Sequence, residues 1–163
     1  NKKLINQLEE GGKLIFIRHA YAPGSGDPNN FNLNDCSTQR NLSEEGRKQA
    51  EYIGEFFIDN EINIDKVLSS EWCRCKETAQ IAFKNFSTNS FLNSFYSSKF
   101  EKNKDKQINA LYDYIKKFKS NKNLVFVTHY VLISEVLNYG PSSGEIVVSD
   151  KNFNIIGSIE FNY

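Results

Sequence analysis

Two short stretches of the chain are apolar at every position, Leu14-Ile-Phe-Ile17 and Leu124-Val-Phe-Val127. A strand with one face in water alternates apolar and polar residues, so an unbroken run of this length reads as a strand covered on both faces. Val67-Leu68 is a shorter third candidate, and Glu145 to Val148 and Asn154 to Phe161 read as closing strands. Elsewhere the period is helical. Ser43 is an N-cap residue with Glu44 and Glu45 in the first turn, followed by Ala50, Ile53, Phe56 and Phe57 at helical spacing. Ser69-Ser70 gives a second cap signal for a helix from about Glu71 to Phe83, and Ile108, Leu111, Tyr112, Ile115 and Phe118 share one face of a helix over Asn103 to Lys119. Shorter helices are predicted over Lys2 to Glu10, ended by Gly11-Gly12, and over Val131 to Asn138. Residues 85–100 alternate Phe, Ser and Asn with no firm period. Ala20 to Leu42, with Pro23, Gly24, Gly26 and Pro28, reads as one long loop, and loops beyond about 15 residues in a small domain are usually functional or disordered.

Strands that alternate with helices predict an α/β fold, a three-layer α/β/α sandwich with a mainly parallel central sheet. The closing pair of segments, joined around Asp150-Lys151-Asn152, leaves room for an antiparallel strand. At 163 residues, with no repeat or linker, residues 1–163 are expected to form one domain.

Composition changes this picture in three ways. The 20 basic and 20 acidic residues cancel, which removes the general electrostatic case for nucleic acid or an anionic membrane as partner. The basic residues are 16 Lys but only 4 Arg, namely Arg18, Arg40, Arg47 and Arg74. Arg is the residue for planar, forked recognition of anions, so each of the four carries information. No apolar run approaches the roughly 18 residues that span a bilayer. The three cysteines are Cys36, Cys73 and Cys75. Cys73 and Cys75 diverge if they lie on one helix, so either one of them bonds Cys36 and leaves an odd thiol, or all three are reduced. Two His and three scattered Cys make a poor zinc set, and no metal or other cofactor is expected.

The candidate chemistry lies where the apolar strands stop. The first ends in Arg18-His19, the second in Ser69-Ser70 with Arg74 a turn later, and the third in Thr128-His129. Parallel strands of an open α/β sheet bring their C-terminal ends to one edge, where ligands bind. Both histidines and half the arginines of the chain should therefore meet in one crevice. Arginine forks hold phosphate oxygens bidentately, and a helix opening near Ser70 would add N–H groups and a positive dipole end. A neutral imidazole can attack phosphorus and give a covalent phosphohistidine that water hydrolyses, while a second histidine holds the transferring oxygens. The plainer alternatives are a solvated strand end at Arg18 and a surface ion pair of Arg74 with Glu77 or Glu71. Their coincidence at three strand ends argues against them.

Leu14-Ile-Phe-Ile-Arg-His-Ala20 resembles the Arg-His-Gly signature of the histidine phosphatase superfamily, the phosphoglycerate mutase-like enzymes. Asn41-Leu-Ser-Glu-Glu-Gly46 with Gln49-Ala50, Ser69-Ser70 with Arg74 and Glu77-Thr78-Ala79, and Val125-Phe-Val-Thr-His129 resemble further family segments in the same order. The resemblance implies that His19 is phosphorylated and that Arg18, His19, Arg74 and His129 bind the phosphoryl group. The small size resembles the compact phosphatases of the superfamily.

The chain departs from that pattern in three places. Ala20 stands where the family has glycine, which a negative φ would tolerate. The loop Ala22-Pro-Gly-Ser-Gly-Asp-Pro28 is longer than usual; either it lays the Gly24, Ser25 and Gly26 amides beside a substrate or it is only a turn. In the segment after the Arg74 helix where the family has a carboxylic acid, Phe91 to Glu101, the one acid is Glu101 and it fits poorly, so Asp27 and Asp35 in the long loop and Glu145 are its rivals. A phosphoramidate such as phosphohistidine needs such an acid less than an ester does. Arg47 reads as a surface or helix-pairing residue, and Arg40 either reaches the pocket rim or, by preference, pairs with Asp35.

The expected activity is that of a phosphatase acting on a phosphomonoester or phosphohistidine, with a degenerate phospho-ligand binder or a phosphomutase as alternatives. Its partner would be a small phosphorylated substrate or a phosphohistidine; the sequence does not fix an oligomeric state. A start at Asn1 without any Met leaves room for a leader that has been removed. With a Cys36 disulfide, that favours export, as to a bacterial periplasm, over the cytoplasm.

Overall fold

A computed structural model describes all residues 1–163. Its centre is a six-stranded sheet in the order β3-β2-β4-β1-β5-β6. The strands are β1 (Leu14–Arg18), β2 (Ile64–Ser69), β3 (Ser87–Thr88), β4 (Asn123–Thr128), β5 (Ile146–Ser149) and β6 (Ile155–Ile159). The first four in chain order run parallel, while β5 is antiparallel to β1 and β6 to β5, so within the closing hairpin β5 alone runs against the rest of the sheet.

Alternation along the two apolar strands sorts their side chains into two cores. Ile15, Ile17, Val125 and Val127 face one way, against α1 (Lys2–Glu10), α2 (Glu44–Asp59) and α3 (Cys73–Phe83). Leu14, Phe16, Leu124 and Phe126 face the other, against α5 (Lys104–Lys117) and α6 (Tyr130–Leu137). The result is the expected α/β/α sandwich, with β1 and β4 fully sheltered because helices cover both faces. A short α4 (Ser98–Glu101) and a 3-10 turn at Ser90–Leu92 fill the stretch that shows no period. None of the helices is long and apolar enough to cross a membrane.

One helix start differs from expectation. Helix α3 begins at Cys73 rather than near Glu71, with Trp72 at the cap position but no side-chain bond from it to the helix N–H groups. Ser70 Oγ accepts the Trp72 N–H at 3.1 Å and thereby holds the chain in a turn before the helix. By contrast, Ser43 caps α2 as expected, accepting from Gly46 N. Gly46 is obligatory there, since a Cβ would stand 2.0 Å from the carbonyl oxygen of Tyr21. Helix α2 thus starts in backbone contact with the residues that follow His19.

A disulfide joins Cys36 to Cys73, and Cys75 is a buried free thiol. The long loop is therefore tied to the residue that precedes Arg74. A 3-10 turn at Cys36–Thr38 positions the loop cysteine, with Asp35 as its cap.

Candidate active site

Strand register brings the chemistry together. Arg18 stands opposite Thr128 across β1 and β4, and Ser69 opposite Val127 across β2 and β4. The next residues continue the ladder: His19 N donates to Thr128 O at 3.0 Å, and Ser70 N donates to Val127 O at 2.9 Å. His19, Ser70 and His129 therefore emerge side by side at the carboxyl edge of the sheet. The two imidazole rings lie 5.8 Å apart, edge to face. Arg74, one turn into α3, reaches over them and donates from Nε to His19 Nε2 at 3.3 Å. Arg18, His19, Arg74 and His129 all line one cavity of about 580 Å³. Arg40 lines it too, so three of the four arginines of the chain converge there.

The hydrogen bonds of His19 define its tautomer. Its Nδ1 lies 2.9 Å from the carbonyl oxygen of Ala20, which can only accept, so Nδ1 carries the proton. Nε2 then offers its lone pair to the cavity, where Arg74 occupies it. Burial first, and Arg74 second, hold the His19 pKa well below the ordinary histidine value; the Ala20 bond opposes this only in part. His129 is lowered in the same direction by burial, then by Arg74 and His19. Both rings are neutral in the free protein near pH 7. Ala20 has a negative φ, and its N–H donates to Thr78 Oγ1 at 3.0 Å, so the missing glycine costs the turn nothing.

Arg18 donates from a terminal nitrogen to Pro141 O at 3.0 Å and lies 5.3 Å from the Tyr130 ring. Its Nε is buried without a partner. Arg40 spans the long loop, donating to the carbonyl oxygens of Gly26 and Ala22. It makes no pair with Asp35; that expectation fails because Asp35 turns away to cap Ser37. Burial, followed by repulsion from Arg74, lowers the Arg40 pKa to about 10. Arg47 bridges α2 and α3 through Glu77 at 3.1 Å, so the partner foreseen for Arg74 is taken by Arg47.

The partner of Arg74 is Asp27, at 2.8 Å, with side-chain exposures of only 4% and 16%. Asp27 also accepts from Arg40 N and from Trp72 Nε1, both at 3.1 Å. Burial works against its charge, but the bonds from Arg74 and Arg40 N outweigh this and lower its pKa. Among the four rival acids, Asp27 alone lines the cavity. Asp35 is exposed on the loop, and Glu101 is exposed at the end of α4, facing a separate and more open depression. Glu145 is buried, held by Tyr139 Oη and Ser142 N, and braces the loop whose Pro141 receives Arg18. Three of the four are thereby placed away from the reacting centre.

Gly24, Ser25 and Gly26 line the cavity, with positive φ at both glycines that favours a residue lacking Cβ. The N–H groups that lead from Ser70 into α3 are already engaged: Glu71 N donates to Asn93 Oδ1, Trp72 N to Ser70 Oγ, and Cys73 N to Gln39 Oε1. Ser70 instead meets His129 Nε2 at 2.8 Å. That contact was not foreseeable from the chain pattern, nor were the roles of Gln39 and Asn93, whose side chains complete the turn into α3. The only sequence signal was polarity in an otherwise apolar setting, as at Gln49. It is buried within α2, accepts from Tyr21 N and donates to Ser143 O and Phe161 O. Cys75 lies 3.6 Å from His129 Nε2, but burial pushes its thiol up to about 12, so it stays protonated. No group of three or more His, Cys, Asp and Glu side chains is clustered to hold a metal ion.

Comparison with solved structures places the fold among the phosphoglycerate mutase-like α/β proteins. The protein of the open reading frame Rv3214 from Mycobacterium tuberculosis matches at 14% identity, over 92% of this chain and 96% of that one, with a TM-score of 0.63. The protein histidine phosphatase SixA complexed with tungstate matches at 14% identity, over 93% and 94%, with a TM-score of 0.59. A SixA protein from Agrobacterium tumefaciens matches at 19% identity, over 91% and 97%, also at 0.59. A search of curated proteins gives no match. Residues 14–91, which carry Arg18, His19, the Gly46 segment and Arg74, match the family model of the histidine phosphatase superfamily, branch 1. Over those residues, just under half of the chain, it is similar to the histidine phosphatase superfamily.

Proposed function

We propose that this protein is a phosphatase that removes a phosphoryl group from a phosphomonoester or a phosphohistidine through a covalent intermediate on His19. The observation that carries the reading is the orientation of the His19 ring. Its proton is committed to Ala20 O, and its Nε2 lone pair points into a cavity lined by three guanidinium groups. A phosphoryl dianion entering there exchanges the long 3.3 Å contact from Arg74 for shorter charged bonds to its own oxygens. His19 Nε2 then attacks phosphorus in line, and Arg18, Arg74 and His129 hold the three equatorial oxygens as charge spreads over them. Water hydrolyses the phosphohistidine and restores the neutral ring. The cations needed are side chains, so the step calls for no metal. The match of residues 14–91 to the superfamily model supports a phosphatase-type activity, and the likeness to SixA proteins supports phosphohistidine among the substrate classes.

The test is acid-quench labelling with a phosphorylated substrate, in the native protein and in His19→Ala. Label on His19, turnover lost with the substitution, and indifference to chelators are the expected results. Tight vanadate binding without turnover would instead make the protein a phospho-ligand binder, and label on Ser69 or Ser70 would overturn the mechanism.

A further inference from the structure

Beyond the phosphoryl pocket, the cavity continues along an aromatic wall. Trp72 packs edge-on against His129 at 5.3 Å, so the wall begins at the reacting centre. Phe31, carried by the long loop, stacks on Trp72 at 5.0 Å with only 25° between the rings. Phe100, from α4, closes against both, edge to face, at 5.8 Å and 5.5 Å. Trp72 is buried, whereas Phe31 and Phe100 are half-buried and offer ring surface to the cavity. Lys99 lines the cavity as well and is exposed. A second observation concerns proton supply. The single carboxyl group on the cavity wall is Asp27, which is engaged by Arg74, Arg40 N and Trp72 and is kept ionised. No carboxylic acid stands ready to protonate a departing oxygen.

Building on the phosphatase reading, we propose that the substrate is an aryl phosphomonoester, whose ring lies on Phe31 and Phe100 while His19 receives its phosphoryl group. The two observations require this together. An aromatic wall beside His129 selects an aromatic leaving group that can stack on one ring and meet another edge to face. A site without a proton donor favours an oxygen that departs as a stable anion, and a phenol, with a pKa of about 10, does so far more readily than an alcohol. In the step, the N–P bond forms at His19 Nε2 as the P–O bond to the ring breaks. The electron pair leaves on the phenolate, which takes a proton from water. A water molecule then attacks phosphorus, the N–P electron pair returns to Nε2, and the phenol and inorganic phosphate depart.

The experiment compares kcat/KM of the native protein for phenyl phosphate, phosphotyrosine and para-nitrophenyl phosphate with that for glycerol phosphate and phosphoserine. Acetyl phosphate, an activated substrate without a ring, is the reference. Aryl esters should exceed alkyl esters by on the order of 100-fold or more, the contribution a missing general acid would have made. Phe100→Ala should lower the ratio of phenyl phosphate to acetyl phosphate by roughly 5- to 10-fold, and Phe31→Leu should lower it in the same direction. Leucine keeps apolar volume on the loop while removing the ring face, and an unchanged melting transition confirms the fold. Turnover of acetyl phosphate with no aryl preference, or with a ratio that neither variant moves, overturns this proposal and leaves the phosphatase intact. No turnover of any substrate overturns both. Among aryl substrates, a phosphotyrosine peptide that outruns free phosphotyrosine identifies a protein side chain as the source of the ring; the reverse identifies a small phenol.

Discussion

Asp27 occupies the guanidinium fork that a phosphoryl group is expected to use, so Asp27→Asn should pull stability and ligand affinity in opposite directions. In the free protein the carboxylate receives Arg74 at 2.8 Å and 3.4 Å, Arg40 N at 3.1 Å and Trp72 Nε1 at 3.1 Å. An amide can keep the first and third of these through its oxygen, but its NH2 group would face the indole N–H, donor against donor. The substitution therefore removes two hydrogen bonds, one of them the long 3.4 Å contact, weakens the others from charged to neutral, and leaves Arg74 buried without a counter-charge. Each change costs about 1 kcal/mol, and about 2–3 kcal/mol in sum. For a chain of this length that is a fall in melting temperature of about 7 °C. Binding should move the other way. Two unit charges about 6 Å apart interact by about 3 kcal/mol at an effective dielectric constant of 20, and an open cavity with salt screens about half of that. Removing the carboxylate should then tighten phosphate or vanadate binding by about tenfold. The assay is thermal melting of both proteins across a vanadate titration, in which the variant starts lower and gains more per decade of ligand. If Asp27→Asn binds vanadate more weakly, Asp27 serves to aim Arg74 rather than to fill its place. If the melting temperature is unchanged, the pair contributes nothing to the fold.

Three further outcomes are expected. The depressed histidines make the native state bind fewer protons than the unfolded chain below pH 6.5, so stability should be flat above that pH and fall as pH drops through it. The limiting slope is about 2.7 kcal/mol per pH unit for two such groups, and His129→Ala should lose about half of it in chemical denaturation at several pH values. The Cys36–Cys73 disulfide closes a loop with a sequence separation of 37, so reduction, or Cys36→Ser, should lower stability by about 4 kcal/mol. Thiol titration of the unfolded, unreduced protein should find a single free cysteine, and three would refute the bond. Arg47→Ala removes only a partly exposed bridge to Glu77 and should change stability by less than about 1 kcal/mol with turnover unaffected, in contrast to the loss expected for Arg74→Ala.

Much of this molecule was legible in one dimension. Leu14 to Ile17 and Leu124 to Val127 announced their burial because only a strand covered on both faces drops the polar alternation, and the abrupt stops at Arg18-His19 and Thr128-His129 marked the edge where chemistry gathers. Ser43 with its two following glutamates fixed the start of α2 through bonds that lie within one turn. These are local properties, set by neighbours in the chain. The partners of the charged groups were not legible, since they depend on distances that only packing creates. Arg74 found Asp27, 47 positions away, rather than Glu77 a turn along its own helix, because α3 turns its Arg74 face inward to the cavity. The desolvated interior then decided which carboxylate had to come with it. Asp35, Glu101 and Glu145 were equally plausible acids by composition, and tertiary structure sent each elsewhere. Ser70, read from the sequence as a helix cap, became instead the neighbour of His129, because the ladder of β2 and β4 set the two residues side by side.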